Sequence, residues 1–380
     1  MDITVQSAIE TQPTAEPASA NAASAPLKFN NPDDFRRALR QRVDEYFADT
    51  GRRPRDCPQM YAKTAIILCG CGALYALLVF VAVSWWVTIP LAVALGLALA
   101  VAAFNIQHDG GHGAYSEHQW INKLASLTLD LLGGSSYMWA RKHNTIHHSY
   151  TNVTGHDDDI NLGVLGRLSP HQKHLSFHRL QHFYMWFLYG FLPVKWHVYD
   201  DFQNLVVGRI AGHRFPRPRG WDLVVLFGGK ALFFSLALGL PMFFHPWWGV
   251  LALYGIASFV QGVALSVVFQ MAHCVEEAAF PQPRPGTSRI ESSWAEHQIE
   301  TTVDFAPRNR LLAWLVGGLN FQVEHHLFPQ ICHIHYPALA KLVEETCHEF
   351  GLRYKASKTF LAGIASHYRW LRRMGMANAA

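Results

Sequence analysis

The chain has 380 residues, half of them hydrophobic and only 16% charged, with a formal net charge of +4. Soluble domains usually carry about 25% charged residues; here the missing charges are concentrated in two long blocks, which points to membrane spans rather than to a soluble core. The small net charge and the absence of a basic stripe interleaved with aromatics exclude a nucleic-acid-binding surface.

In chain order, residues 1–28 are rich in Ala, Ser, Thr, Pro and Glu and lack the basic start and apolar core of a signal peptide, so a disordered tail is expected. The remaining residues as far as 370 are expected to form one membrane domain, with 371–380 a carboxy-terminal tail. After the basic stretches DDFRRALRQR and GRRPR, residues 64–107 contain no Asp, Glu, Lys or Arg. A bilayer crossing takes about 20 residues. The segment therefore reads as a helical hairpin, with spans at about 64–83 and 87–107 and a turn carrying Ser84, Trp85, Trp86 and Pro90. Residues 223–270 form a second hairpin, with spans at about 223–243 and 250–270, broken at FHPWWG. Both turns carry a Trp pair, as expected at a membrane interface.

The hairpin turns have no Lys or Arg, whereas the flanks are basic. Positive-inside reasoning places both termini and the middle segment in the cytoplasm and both turns outside, in a multi-pass protein expected in a bacterial cell membrane. Residues 120–139 and 162–212 read as helices lying on or dipping into the interface. Lys230, inside the third span, is either a functional residue or a side chain snorkelling to the interface. The six cysteines, Cys57, Cys69, Cys71, Cys274, Cys332 and Cys347, form no disulfide framework and read as reduced thiols.

Histidine is the outlier, at 22 residues. His108 and His112 in HDGGH are four apart, so they share a helix face at the cytoplasmic end of the second span. His143 and His147 repeat the spacing in RKHNTIHHSYTN, with His148 adjacent. His273 ends the fourth span, and His325 and His326 occur in NFQVEHHLFP with Gln322 one turn earlier. All of them fall on the same side of the expected topology. Neutral imidazole suits zinc, copper, iron and nickel. Eight imidazoles exceed one tetrahedral site and would serve two metal ions.

HDGGH, HNTIHH and QVEHH, separated by membrane hairpins, resemble the boxes of the membrane-bound fatty acid desaturases. HHSYTNVTGHDDDIN and QVEHHLFP are similar to the branch of linoleoyl-CoA and front-end desaturases, whose third box begins with Gln. The resemblance extends over about residues 29–370. It implies an all-α integral membrane fold, four spans under a cytosolic helical cap, and a non-haem diiron centre. It also implies O2 as co-substrate and insertion of a cis double bond into a fatty acyl chain on CoA or a lipid. The implied ligands are His108, His112, His143, His147, His148, His273, His325 and His326, with Gln322 a ligand or a water holder. Ligating imidazoles usually donate their second N–H to a carboxylate or carbonyl; Asp109, Asp157, Asp158, Asp159 and Glu324 are candidates. Lys230, Trp294, His297 and Gln298 are candidates for shaping the substrate site. His156 is an alternative ligand. His171, His174, His178 and His182 read as one helical stripe facing the membrane surface or an acyl headgroup.

A hydroxylase, epoxidase or acetylenase would share these boxes. A metal transporter or sensor is the rival of another class, and the scarcity of polar residues along the spans counts against it. No His-Pro-Gly-Gly haem motif, Rossmann fingerprint or cysteine quartet occurs. Electrons are therefore expected from an external NAD(P)H-dependent chain, through a ferredoxin or small haem protein and a reductase, docking near Arg141 and Lys142.

Overall fold

The computed structural model describes residues 26–31 and 33–377. Among the described residues, four helices are long and apolar enough to cross a membrane: Pro58–Val81, Trp85–His112, Trp221–Phe243 and Trp247–His273. The first starts earlier than charge alone suggested, because Pro58 is preorganised for the first helical turn. The second and fourth run on through their histidines. The second stops only where Gly113 turns left-handed, at φ 72°. His108, His112 and His273 thus sit on the continuations of apolar helices rather than on loops.

The two hairpin turns meet at the end opposite the histidines. Trp85 stacks on Trp248 at 5.7 Å, Phe80 meets Phe244 edge-on at 5.0 Å, and His245 Nε2 lies 2.7 Å from the Val79 carbonyl. At the histidine end a helical cap closes over the spans. Its amino-terminal helix, Asp34–Thr50, packs Phe35, Leu39 and Val43 against Leu339, Val343 and Cys347 of helix Tyr336–Glu349. Helix Phe360–Met374 packs Trp370 and Leu371 into the core that contains Met271 and Val275. Among the described residues the strands are two short pairs: Arg209–Ile210 antiparallel to His213–Arg214, and Asp304–Phe305 parallel to Ala356–Ser357.

Helix Gln181–Tyr189 buries Met185 and Tyr189 and leaves Phe183 and Phe187 exposed. The His171–His182 reading requires correction. Only 176–180 and 181–189 are helical, so the four do not form one stripe. His171, His174 and His178 instead bond through Nε2 to the carbonyls of Phe280, Gly375 and Val164, tying loops together. The expected amino-terminal tail lies outside the described residues up to 25. Its last residues are anchored: Leu27 packs with Val153 and Ile290, and Lys28 bridges to Arg289. The carboxy-terminal tail begins later than expected, because Leu371 and Met374 are buried in the last helix.

Candidate metal centre

Local structure explains why the boxes converge. Residues 103–107 form a π-turn that re-aims the end of the second span just before His108. HDGGH needs its glycines for close approach. A Cβ at Gly110 would lie 2.6 Å from the Ser126 backbone nitrogen, and one at Gly111 would strike the Trp139 ring. Ala140–His147 is also π-helical, with i→i+5 hydrogen bonding, so His143 and His148 align and their Nε2 atoms lie 3.3 Å apart. Gly317, at φ 61°, sits where any Cβ would collide with the Phe104 carbonyl. That approach brings the third-box helix Gln322–Leu327, buried along its whole length, against the second span.

The ligand atoms of His108, His112, His143 and His325 all lie within 4.8 Å of one another, as do those of His147, His273 and His326 and those of His148, His325 and His326. The eight imidazoles form one nest with two ends, and none is more than 8% exposed. The Nε2 atoms of His108, His112, His325 and His326 are buried without hydrogen-bond partners among the described residues. A buried polar atom left unpaired is costly; cations placed among these nitrogens would relieve that cost. The all-nitrogen donor set suits iron.

The second ring nitrogens are oriented by the surrounding protein. His147 Nδ1 donates to Asp157 at 3.1 Å, and Asp157 in turn accepts from the backbone N–H groups of Asn152 and Asp159 at 2.8 and 3.0 Å. His326 Nδ1 donates to Gln298 Oε1 at 2.8 Å and His273 Nδ1 to the Thr301 carbonyl at 3.4 Å, while His325 Nδ1 meets the Tyr336 hydroxyl at 3.3 Å. These bonds leave Nε2 free for a metal. Burial, then the neighbouring imidazoles, hold His148, His325 and His326 well below the usual histidine range, so they are neutral donors. Burial also lowers His143. At His147 burial acts downward but is outweighed by Asp157 and Asp159, which raise it.

Other candidates fall elsewhere. Asp109 turns away from the nest and accepts from His333 Nδ1 at 2.8 Å; His333 Nε2 is in turn 3.0 Å from Lys63 Nζ. Asp158 pairs with Lys142 at 3.0 Å, and Asp159 lies between Lys142 and His147. Glu324 is bonded by Tyr354, not by an imidazole. Gln322 is buried beside His325 on the cavity wall. Lys230 neither snorkels nor faces the cavity: it ties the third span to Gly133 O, Trp196 O and Asp201 at 2.6–2.7 Å. Trp294 donates to the His148 carbonyl, and His297 is buried against Phe29. His156 meets Tyr150 edge-on and His213 at a tilt, outside the nest. Gln298, expected near substrate, instead serves His326. Nothing in the local sequence marks Tyr336 or Thr301, whereas His333 stands in a His-x-His pair with His335 that could have marked it.

A cavity of about 790 Å³ opens onto the nest. His108, His143, His147, His273 and His325 form one wall; Leu162, Leu165, Met185, Leu188, Leu192 and Phe269 supply apolar surface. Its polar part holds Lys142, Asp158, Asp159, Lys195, Asp200 and Asn204. Lys142, expected to meet a redox partner, is instead engaged by Asp158 and Asp159. Arg141 lies over the Tyr137 ring at 5.3 Å.

Residues 84–358 match the family model described as fatty acid desaturase. The sn-1 linoleoyl-lipid 6-desaturase of Synechocystis sp. is 41% identical over 355 residues, covering 93% of this chain and 98% of that protein. The enzyme of the same name from Arthrospira platensis is 39% identical, over 93% of this chain and 96% of its own. The acyl-lipid (8-3)-desaturase of Physcomitrium patens is 36% identical, over 90% of this chain and 72% of its own. With its spans, its buried histidine nest and these relatives, the chain belongs to the fatty acid desaturase family, whose catalysis depends on iron.

Proposed function

We propose that the chain desaturates acyl chains esterified to membrane lipids, holding two iron ions in the histidine nest. His108, His112, His143 and His325 would hold one ion and His147, His273 and His326 the other, with His148 between them and Gln322 beside His325. When bound, the irons supply the O2-dependent oxidising power that side chains alone lack. The observation that carries the reading is the cavity wall: five of the eight clustered histidines line the space beside its apolar surface, so a threaded acyl chain must pass them.

The protein's own groups do the rest. Asp157, Gln298 and Tyr336 keep Nδ1 occupied so that Nε2 faces the ions. The apolar lining excludes water and fixes the depth of the chain, which sets the carbon presented. The cavity's lysines are already matched: Lys142 by Asp158 and Asp159, Lys195 by Asp200. A polyphosphate carrier such as CoA would find little unpaired lysine charge there, which supports a lipid carrier, as in the relatives' names. Those names also support double-bond insertion at position 6. Electrons come from a separate carrier protein, and the histidine end of the spans faces the cytoplasm.

The test is expression in a bacterium that lacks polyunsaturated lipids, fed linoleate, with double bonds located by mass spectrometry of intact lipids. The expected product is a lipid-linked acyl chain with a new cis bond at position 6. New unsaturation appearing first in the acyl-CoA pool, or a hydroxylated product, would contradict the reading.

A further inference from the structure

The cavity that opens onto the nest has a mouth. Leu165, Phe191 and Val207 line it and are 54%, 47% and 54% exposed. An apolar side chain that lines a cavity and stays half exposed stands where the cavity meets the surface. Val164 and Val206, each next in sequence to one of these, are exposed as well. Phe191 meets Phe259 edge-on at 6.1 Å. Phe259 lies midway along the fourth span, about 21 Å from His273 at about 1.5 Å per residue. That lip of the mouth therefore faces hydrocarbon, where an exposed apolar rim is at home.

The rim also carries paired cations. After helix Asp201–Val207 the chain turns back in a two-residue hairpin, with Ala211 at φ 48° and Gly212 at φ 79°, as a type I′ turn requires. Ile210 pairs with His213, and Arg209 with Arg214. Directly paired side chains stand on one face of such a ribbon, and the next pair stands on the other. Ile210 is buried and His213 stacks on Tyr150 at 5.3 Å, so that face is filled. The arginines share the opposite face, where Arg209 lines the cavity and Arg214 is exposed. Among the described residues no carboxylate pairs with Arg214. Like charges placed directly opposite repel, and an anion between them removes that cost. The third span starts just beyond, with Gly220 as its N-cap, so the ribbon lies at the level of lipid headgroups.

We propose that this mouth is a lateral portal for a glycerophospholipid. Its phosphodiester seats against Arg209 and Arg214, one acyl chain threads into the cavity, and the other stays in the leaflet along Val164 and Val206. The inference rests on the lipid-linked reading above and adds the route of entry and the headgroup chemistry. The oxygens of a phosphodiester match the fork of a guanidinium. The nearby carboxylates do not oppose it, because Lys142 holds Asp158 and Asp159 and Lys195 holds Asp200. A carrier arriving from water would need no apolar lip on the flank of a span. A neutral glycolipid would leave the two arginines opposed to each other.

The test is photolabelling of the full-length, iron-loaded protein in bilayers of digalactosyldiacylglycerol, which carry no phosphate, with no electron donor present. Two probes bear the same diazirine-tagged acyl chain, one on phosphatidylglycerol and the other on digalactosyldiacylglycerol, and adducts are mapped by mass spectrometry. The expected result is labelling at Leu165, Phe191 and Val207, several-fold stronger from the phosphatidylglycerol probe. That excess should be lost in Arg214→Gln and kept in Arg219→Gln, an exposed arginine off the ribbon. The wild type decides even where a variant does not fold. Equal labelling by the two probes, adducts confined to other surfaces, or displacement of the probe by an equal amount of stearoyl-CoA would each overturn the proposal. Labelling needs no turnover, so its failure leaves the linoleate-feeding result standing, and product formed on CoA beside intact labelling would sink only the substrate reading.

Discussion

His147, His273 and His326 sit in a web of hydrogen bonds to Asp157, Thr301 O and Gln298, whereas His108 and His112 sit in a cradle of packed surfaces. The latter two rings lie edge-on to Trp139 at 5.7 and 5.5 Å, above Gly111, and the adjacent Asp109 looks the other way. One end of the nest is thus oriented by polar partners, which fix the tautomer and raise ligand basicity. At the other, packing holds the His108 and His112 rings, and His325 alone meets a polar partner outside the nest, the Tyr336 hydroxyl. Two chemically similar ligand groups can be positioned in unlike ways, and they should fail in unlike ways.

The largest effect should ignore the difference. His112→Ala and His273→Ala each remove a ligand and should leave no detectable product by gas chromatography, with the protein still extracted as a folded species. Next comes the braced end: Asp157→Ala should lose about 10–100-fold in metal affinity or activity, the usual cost of removing a ligand's hydrogen-bond partner. Retained activity in Asp157→Ala would mean that Asp159 alone suffices.

At the packed end, Gly111→Ala should destabilise by about 1–3 kcal/mol through overpacking against Trp139. Thermal unfolding is the measurement. Combination with Trp139→Leu should recover part of the loss, a non-additivity expected of residues in contact.

The smallest effect concerns the carboxyl pair behind the third box. Burial takes Asp304 up to about 6, and burial with Asp304 beside it takes Glu324 well above the carboxylate range, with Tyr354 bonded to both. A raised folded pKa stabilises below the unfolded value, about 4 for carboxylates, and that stability is lost as pH rises through the folded values. The melting temperature should therefore decline toward alkaline pH, and Glu324→Gln, a permanent donor, should flatten the slope. An unchanged slope in that variant would assign the decline to other groups.

The contrast also sorts what was legible in the sequence. Apolar runs nearly free of charge gave the spans, and the i, i+4 histidines gave the ligand boxes, because both signals are local. The π-helical register that brings His148 beside His143 was not legible: the pattern does not distinguish i+4 from i+5 bonding over eight residues. Gln298, Thr301 and Tyr336 reach their histidines from distant segments, so no local spacing announces them. Asp109 shows the opposite error, since adjacency to a ligand suggested a partner and the backbone turns its side chain toward His333. The His171–His182 spacing looked helical, yet residues before 176 are not helix and carbonyl bonds hold those rings.

Two iron ions at two differently supported ends of the nest can be counted and told apart. Iron should be counted in purified wild type, in His147→Ala and in His112→Ala, by elemental analysis with Mössbauer spectroscopy of iron-57-enriched protein. Two irons per chain are expected in the wild type, and one in each variant, with different quadrupole signatures for the iron that remains. A single metal per chain in the wild type, or zinc in place of iron, would contradict that expectation.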